Sequence, residues 1–126
     1  MQRRAFMQGL GILVTAGTGQ QEATLYGLIG KMTATPGSRD ALVAILLEGT
    51  QAMPGCLSYV VARDPANADA IWITEVWDDE ASHKASLQLP AVQAAIAKAR
   101  PLIAGFSDRV ETAPVGGVGL AGGPRA

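Results

Sequence analysis

Apolar and polar positions alternate along this chain with two different periods, and glycine or proline marks most changes between them. In LYGLIGKMTA, residues 25–34, Tyr26, Leu28 and Met32 are apolar on one parity and Leu25 and Ile29 on the other, which predicts a strand with both faces covered. Pro36-Gly37-Ser38 ends it. Ser38 suits a helix N-cap, and Asp40 suits the positive end of the helix dipole. Leu42, Ile45, Leu46 and Gly49 then recur at i, i+3, i+4 and i+7, a helix face that stops at Pro54-Gly55.

Period two returns over Cys56–Arg63, where Leu57, Tyr59 and Val61 alternate with Ser58, Val60 and Ala62. DPANAD, residues 64–69, is a turn, and Ala70–Trp77 is a third strand, so the two strands form a hairpin. Asp78, Asp79 and Glu80 open a helix expected to reach about Leu89, pause at Pro90 and resume through Val92, Ile96 and Ala99 until Pro101. FSDRVET, residues 106–112, completes the pattern as a strand with Phe106, Asp108, Val110 and Thr112 on one face.

This order, βαββαβ, predicts an α+β fold of the ferredoxin-like kind. Helices cover one face of such a sheet, yet strands one and three are apolar on both. The simplest cover for the second face is the sheet of another copy, giving a homodimeric α+β barrel.

Composition narrows the partners. With 126 residues, 48% hydrophobic and 17% charged, the chain suits one domain, folded over residues 24–113. A net charge of −1 without a basic run argues against nucleic acid. The single cysteine, Cys56, excludes an intrachain disulfide framework, and no apolar run is long enough to predict a membrane span. At the N-terminus, Arg3-Arg4, Phe6 and an uncharged stretch resemble a twin-arginine export signal over residues 1–23, implying a periplasmic location; otherwise the chain would be cytoplasmic. The glycine- and proline-rich residues 114–126 read as a flexible arm.

The run PGSRDALVAILLEGTQAMPGCLSYVVARDPANADAIWITEVWDDEASHKASLQLPAVQAAIAKARPLIAGF resembles antibiotic biosynthesis monooxygenase domains, in particular the branch described as quinol monooxygenases. Pro54-Gly55-Cys56, Arg63-Asp64-Pro65, Glu75-Val76-Trp77 and Leu89-Pro90-Ala91-Val92 carry the likeness. It implies a dimeric barrel with an apolar pocket between sheet and helices. It also implies oxidation of quinols or anthrone-like aromatics by O2 without metal or organic cofactor. Other members degrade haem, isomerise small metabolites or have no known reaction. A pocket histidine is common one turn after His83 or just after the proline; this chain has Ser86 and Ala91 there. Haem-degrading relatives use a histidine on the later helix, where residues 94–98 offer no ligand.

Candidate site residues follow from strand parity. Ile71, Ile73, Glu75 and Trp77 share one face, and Trp72, Thr74 and Val76 the other. The resemblance places Trp77 toward the pocket, which brings Glu75 and Ile73 with it and turns Trp72 toward the dimer interface. A carboxylate there needs a donor, and His83, Arg63 and Arg109 are the choices. Glu75 or His83 is the expected base for a phenolic proton, since imidazole as a type changes charge near neutral pH. Trp77 with Tyr59, or Tyr26 if it faces inward, would stack on a flat substrate, and Arg63 would reach an anionic group. Against these stand plainer roles: a helix-boundary histidine, a structural carboxylate, a core tryptophan and a strand-end arginine. The alternatives to an oxidase are a small-metabolite isomerase using the same pocket and a binding protein without turnover.

Overall fold

A computed structural model describes residues 24–120. The elements are β1 (Tyr26–Ala34), α1 (Arg39–Gly49), β2 (Cys56–Arg63), β3 (Ala70–Trp77), α2 (Glu80–Ser86), α3 (Pro90–Ala99), a 3-10 turn (Arg100–Leu102) and β4 (Ile103–Thr112). The strands form one antiparallel sheet in the order β2-β3-β1-β4. This is the ferredoxin-like arrangement, with the two apolar strands β1 and β3 at the centre. The twin-arginine segment expected over residues 1–23 lies outside the described residues, as do the last six residues of the arm.

Helices cover one face. Met32 and Ala34 of β1, Leu42 and Leu46 of α1, Ile71 and Ile73 of β3 and Ala99 of α3 form the main core. A second cluster joins Met53, Trp77 and Val92, with Tyr26, Cys56 and Tyr59 packed against it. The register pairs Leu28 with Glu75 and Tyr59 with Glu75, so these three share the helix-covered face. On the opposite face Ile29, Trp72 and Val76 are half-buried, while Val60 and Val110 are exposed. Trp72 is held there by its indole N–H, which donates to Asp64 at 3.0 Å, and by the Lys31 ammonium 5.5 Å above its ring.

Four sequence expectations change. Ser38 does stand at the N-cap of α1, but its side chain does not cap; its Oγ accepts from the Thr35 hydroxyl at 2.8 Å. The helix expected to reach Leu89 ends at Ser86, because Pro90 requires the preceding residue to be extended and Leu89 sits at φ −67°, ψ 137°. Pro90 then begins α3 as a separate helix. In β2 a register shift between Cys56 and Ser58 breaks the alternation, so Cys56, not Leu57, shares a face with Tyr59.

The largest change is in β4. It begins at Ile103 and carries two register shifts against β1, one of them opposite Gly30, with Asp108 at φ 54°. Phe106 therefore pairs with Met32 on the helix side, whereas Val110 and Thr112 pair with Ile29 and Gly27 on the other. The single face expected for Phe106, Asp108, Val110 and Thr112 does not exist.

Candidate functional site

Between the helix-covered face of the sheet and helices α2 and α3 lies a cavity of about 670 Å³, lined chiefly by apolar side chains. Its volume falls in the range that encloses a small aromatic ligand. Leu87, Ile96 and Phe106 line it while remaining exposed, so they mark its mouth; Phe106 is 73% exposed.

β3 supplies one wall. The pleat sends Ile73, Glu75 and Trp77 to the same side, and Trp77 is 1% exposed, the anchor of the second core cluster. Its indole N–H donates to Glu75 Oε1 at 2.9 Å. That bond joins two side chains two residues apart on one strand face, so the carboxylate is held by local geometry.

α2 supplies the imidazole. Asp79 caps the helix by accepting from the Ser82 backbone N–H at 2.8 Å, which fixes its first turn. Gly55 sets where that turn lies. It adopts φ 84°, and a Cβ there would stand 2.5 Å from Ser82 Oγ. Its carbonyl also accepts from the Asp78 N–H at 2.8 Å. One turn into α2, His83 places Nε2 3.9 Å from Glu75 Oε1. Its ring lies between Tyr26, at 5.4 Å and tilted, and Trp77, at 5.5 Å and edge-on. The side chains of His83 and Glu75 are only 16% and 17% exposed. Ser86, the next residue on the inner helix face, is buried and donates to the His83 carbonyl at 2.6 Å.

Nearby hydroxyl and thiol groups stay protonated. Burial pushes the Tyr59 phenol well above the usual tyrosine range, and the Glu75 carboxylate adds to the effect. Burial likewise raises the Cys56 thiol, partly offset by a hydrogen bond with the Ser58 backbone. Among the described residues no group of three or more His, Cys, Asp or Glu side chains is arranged to hold a metal ion.

Of the residues singled out in the sequence, Glu75, His83, Trp77, Tyr59 and Ile73 line this one cavity. Arg63 does not. It lies four residues along β2 from Tyr59, about 13 Å at the usual strand rise, and its guanidinium pairs with Asp40 at 3.2 Å. Arg63 therefore reaches neither Glu75 nor a ligand in the cavity. Arg109 lines the cavity but pairs with Glu111 at 3.8 Å, leaving His83 as the side chain that stands beside the Glu75 carboxylate. Tyr26 faces inward against His83, an arrangement that the sequence left open. Two contributors had no sequence signal as lining groups: Gly30, and the bulged segment of β4 facing it.

The family model for antibiotic biosynthesis monooxygenases matches residues 25–98. Among solved structures, one named a "putative antibiotic biosynthesis monooxygenase" from Chloroflexus aurantiacus J-10-fl is 70% identical, with TM-score 0.75, covering 76% of this chain and 98% of its own. A protein of the same name from Caulobacter crescentus CB15 is 18% identical at TM-score 0.67, covering 75% of this chain and 92% of its own. The Pseudomonas aeruginosa protein PA3566 is 22% identical at TM-score 0.66, covering 78% of this chain and all (100%) of its own. The last two are similar in fold. A comparison with curated proteins gave no match.

Proposed function

The chain belongs to the antibiotic biosynthesis monooxygenase family, and within it we propose a cofactor-independent monooxygenase that oxidises a quinol- or anthrone-like aromatic with O2. The observation that carries this reading is the pairing of Glu75 and His83 at the inner wall of an otherwise apolar cavity. An apolar cavity suits both a flat aromatic and dioxygen, and one acid–base pair is the functional group the reaction requires.

In this reading His83 accepts the phenolic proton. Glu75, held by the Trp77 indole, stabilises the imidazolium that results and keeps the ring turned toward the substrate. The aromatic anion passes one electron to O2, and the radical pair collapses with formation of a C–O bond at the ring carbon that bears hydrogen. Proton return from His83 gives a hydroperoxide. Loss of that C–H proton and cleavage of the O–O bond release water and leave a carbonyl, so one oxygen atom enters the product and the other leaves as water. Tyr59, kept as a neutral phenol, offers an O–H to the developing peroxide. The indole of Trp77, buried in the second core cluster, backs the cavity wall and orients Glu75 rather than offering a free face to the substrate.

A second copy completes the arrangement by covering the outer face of the sheet, where Trp72 and Val76 are half-buried and Val60 is exposed.

Oxygen-electrode assays with a panel of hydroquinones and anthrones, run with and without chelator, test the reading. The expected result is saturable uptake of one O2 per product, unaffected by chelator. Conversion without oxygen uptake would instead support an isomerase, and absence of turnover across the panel a binding protein.

A further inference from the structure

We propose that Arg109 is the specificity residue of this cavity and that the preferred substrate is an aromatic bearing a carboxylate, gripped by the Arg109 guanidinium while its hydroxyl faces His83. This rests on the cavity being the substrate site proposed above.

Charge is the first indication. In a chain of net charge −1, the cavity lining holds Lys31, Arg100 and Arg109 against one carboxylate, Glu75. Glu75 is occupied by Trp77 and His83, and Lys31 by Asp64 at 3.6 Å and the Trp72 ring on the outer side of the sheet. Cationic side chains thus outnumber carboxylates in the lining, which favours an anionic ligand.

Backbone geometry is the second. Strict alternation along β4 would leave one residue opposite Gly30; instead the register shift places Asp108 and Arg109 there. The shift requires Asp108 to adopt φ 54°, a left-handed conformation that is strained for a residue with a Cβ. Bulges of this kind re-aim side chains beside binding sites. Opposite it, Gly30 lines the cavity, and a Cβ built there would have no neighbour within 4 Å, so the space before the bulge is open.

The third is how Arg109 is held. Its Nη2 is 3.8 Å from Glu111 Oε2, the same oxygen that accepts from the Tyr26 hydroxyl at 2.6 Å. That bond is the main cause of the raised Tyr26 pKa, and the nearby Arg109 acts in the opposite sense. Glu111 and the Tyr26 hydroxyl engage one edge of the guanidinium, which leaves further N–H donors of its five for a planar carboxylate. Tyr26 in turn packs against the His83 ring, so one aromatic side chain separates the anion-binding group from the acid–base pair.

Isothermal titration calorimetry under argon, with 2,5-dihydroxybenzoate and its methyl ester as probes, separates binding from turnover. The wild type should bind the acid about tenfold more tightly than the ester, as one charge-assisted contact implies, with the margin shrinking at high salt. Arg109→Gln should abolish the preference by weakening the acid alone, and Arg109→Lys should restore part of it. Arg109 is 64% exposed on an edge strand, so neither substitution threatens the fold. Equal affinities for the two probes, no binding of the acid at millimolar concentration, or equal weakening of both by Arg109→Gln would overturn the proposal. If no member of the hydroquinone and anthrone panel consumes oxygen while the acid preference persists, the oxidase reading fails and the carboxylate site stands.

Discussion

Glu75 sits on a strand face otherwise made of Ile71, Ile73 and Trp77, and it is tolerated there because Trp77 donates to it and His83 stands 3.9 Å away. Strand parity alone brought Glu75, Ile73 and Trp77 together in the sequence, because the pleat of β3 is regular from end to end. His83 could not be placed by the same rule: whether it faces in depends on where α2 starts, which Gly55 and the Asp79 cap determine through contacts outside the helix. Arg63 shows the converse limit, since parity gives the face of a residue and not how far along the cavity it lies. If the pair does the proton chemistry, Glu75→Gln and His83→Asn should each lower kcat by about 10²-fold or more while leaving the circular dichroism spectrum unchanged. Gln at 75 can still accept from the Trp77 indole, so a loss there would report the missing charge. Unaltered kcat in both variants would reduce the pair to a structural contact.

At the scale of elements, two turns each make a separate prediction, one for the site and one for the fold. Gly55 combines φ 84° with a close approach to Ser82, so Gly55→Ala should destabilise the fold by about 2 kcal/mol and displace α2, lowering activity with it. A urea midpoint equal to the wild type would contradict that. Asp64 closes the β2–β3 hairpin, accepting from the Ala66 N–H at 2.8 Å and from the Trp72 indole, with Lys31 beside it. These bonds, the backbone one foremost, hold its carboxyl below the usual aspartate range. The unfolded chain then binds more protons than the folded one as pH drops toward and below about 4, so stability rises with pH there. The contribution is complete above the unfolded pKa and vanishes as pH falls through the folded one. Thermal melts between about pH 2 and pH 6 should therefore show a steeper acid decline for the wild type than for Asp64→Asn. Parallel curves would exclude Asp64 as a source. The hairpin and its turn were readable from DPANAD, whereas the bulge in β4 was not, because FSDRVET alternates cleanly and only its pairing with β1 reveals the extra residue.

For the whole molecule, apolarity on both parities of β1 and β3 was the sequence feature with the longest reach. It pointed to a covered second face of the sheet, and the two strands that carry it lie at the centre of the order β2-β3-β1-β4. The same pattern leaves Val60 and Val110 exposed on the outer face, beside half-buried Ile29, Trp72 and Val76. If a second copy covers that face, sedimentation equilibrium should give twice the chain mass. The double variant Val60→Glu, Val110→Glu should then dissociate to folded monomer. A wild type sedimenting as a monomer, or a variant still fully paired, would remove the interface from this face. Family membership and the cavity together raise one chemical question above the rest: whether an oxygen atom of O2 ends in the aromatic product. Turnover of a responsive quinol or anthrone under 18O2, followed by mass spectrometry of the product, answers it. The expected result is one 18O in the new carbonyl, reduced to background in His83→Asn; a product formed without label would contradict the account.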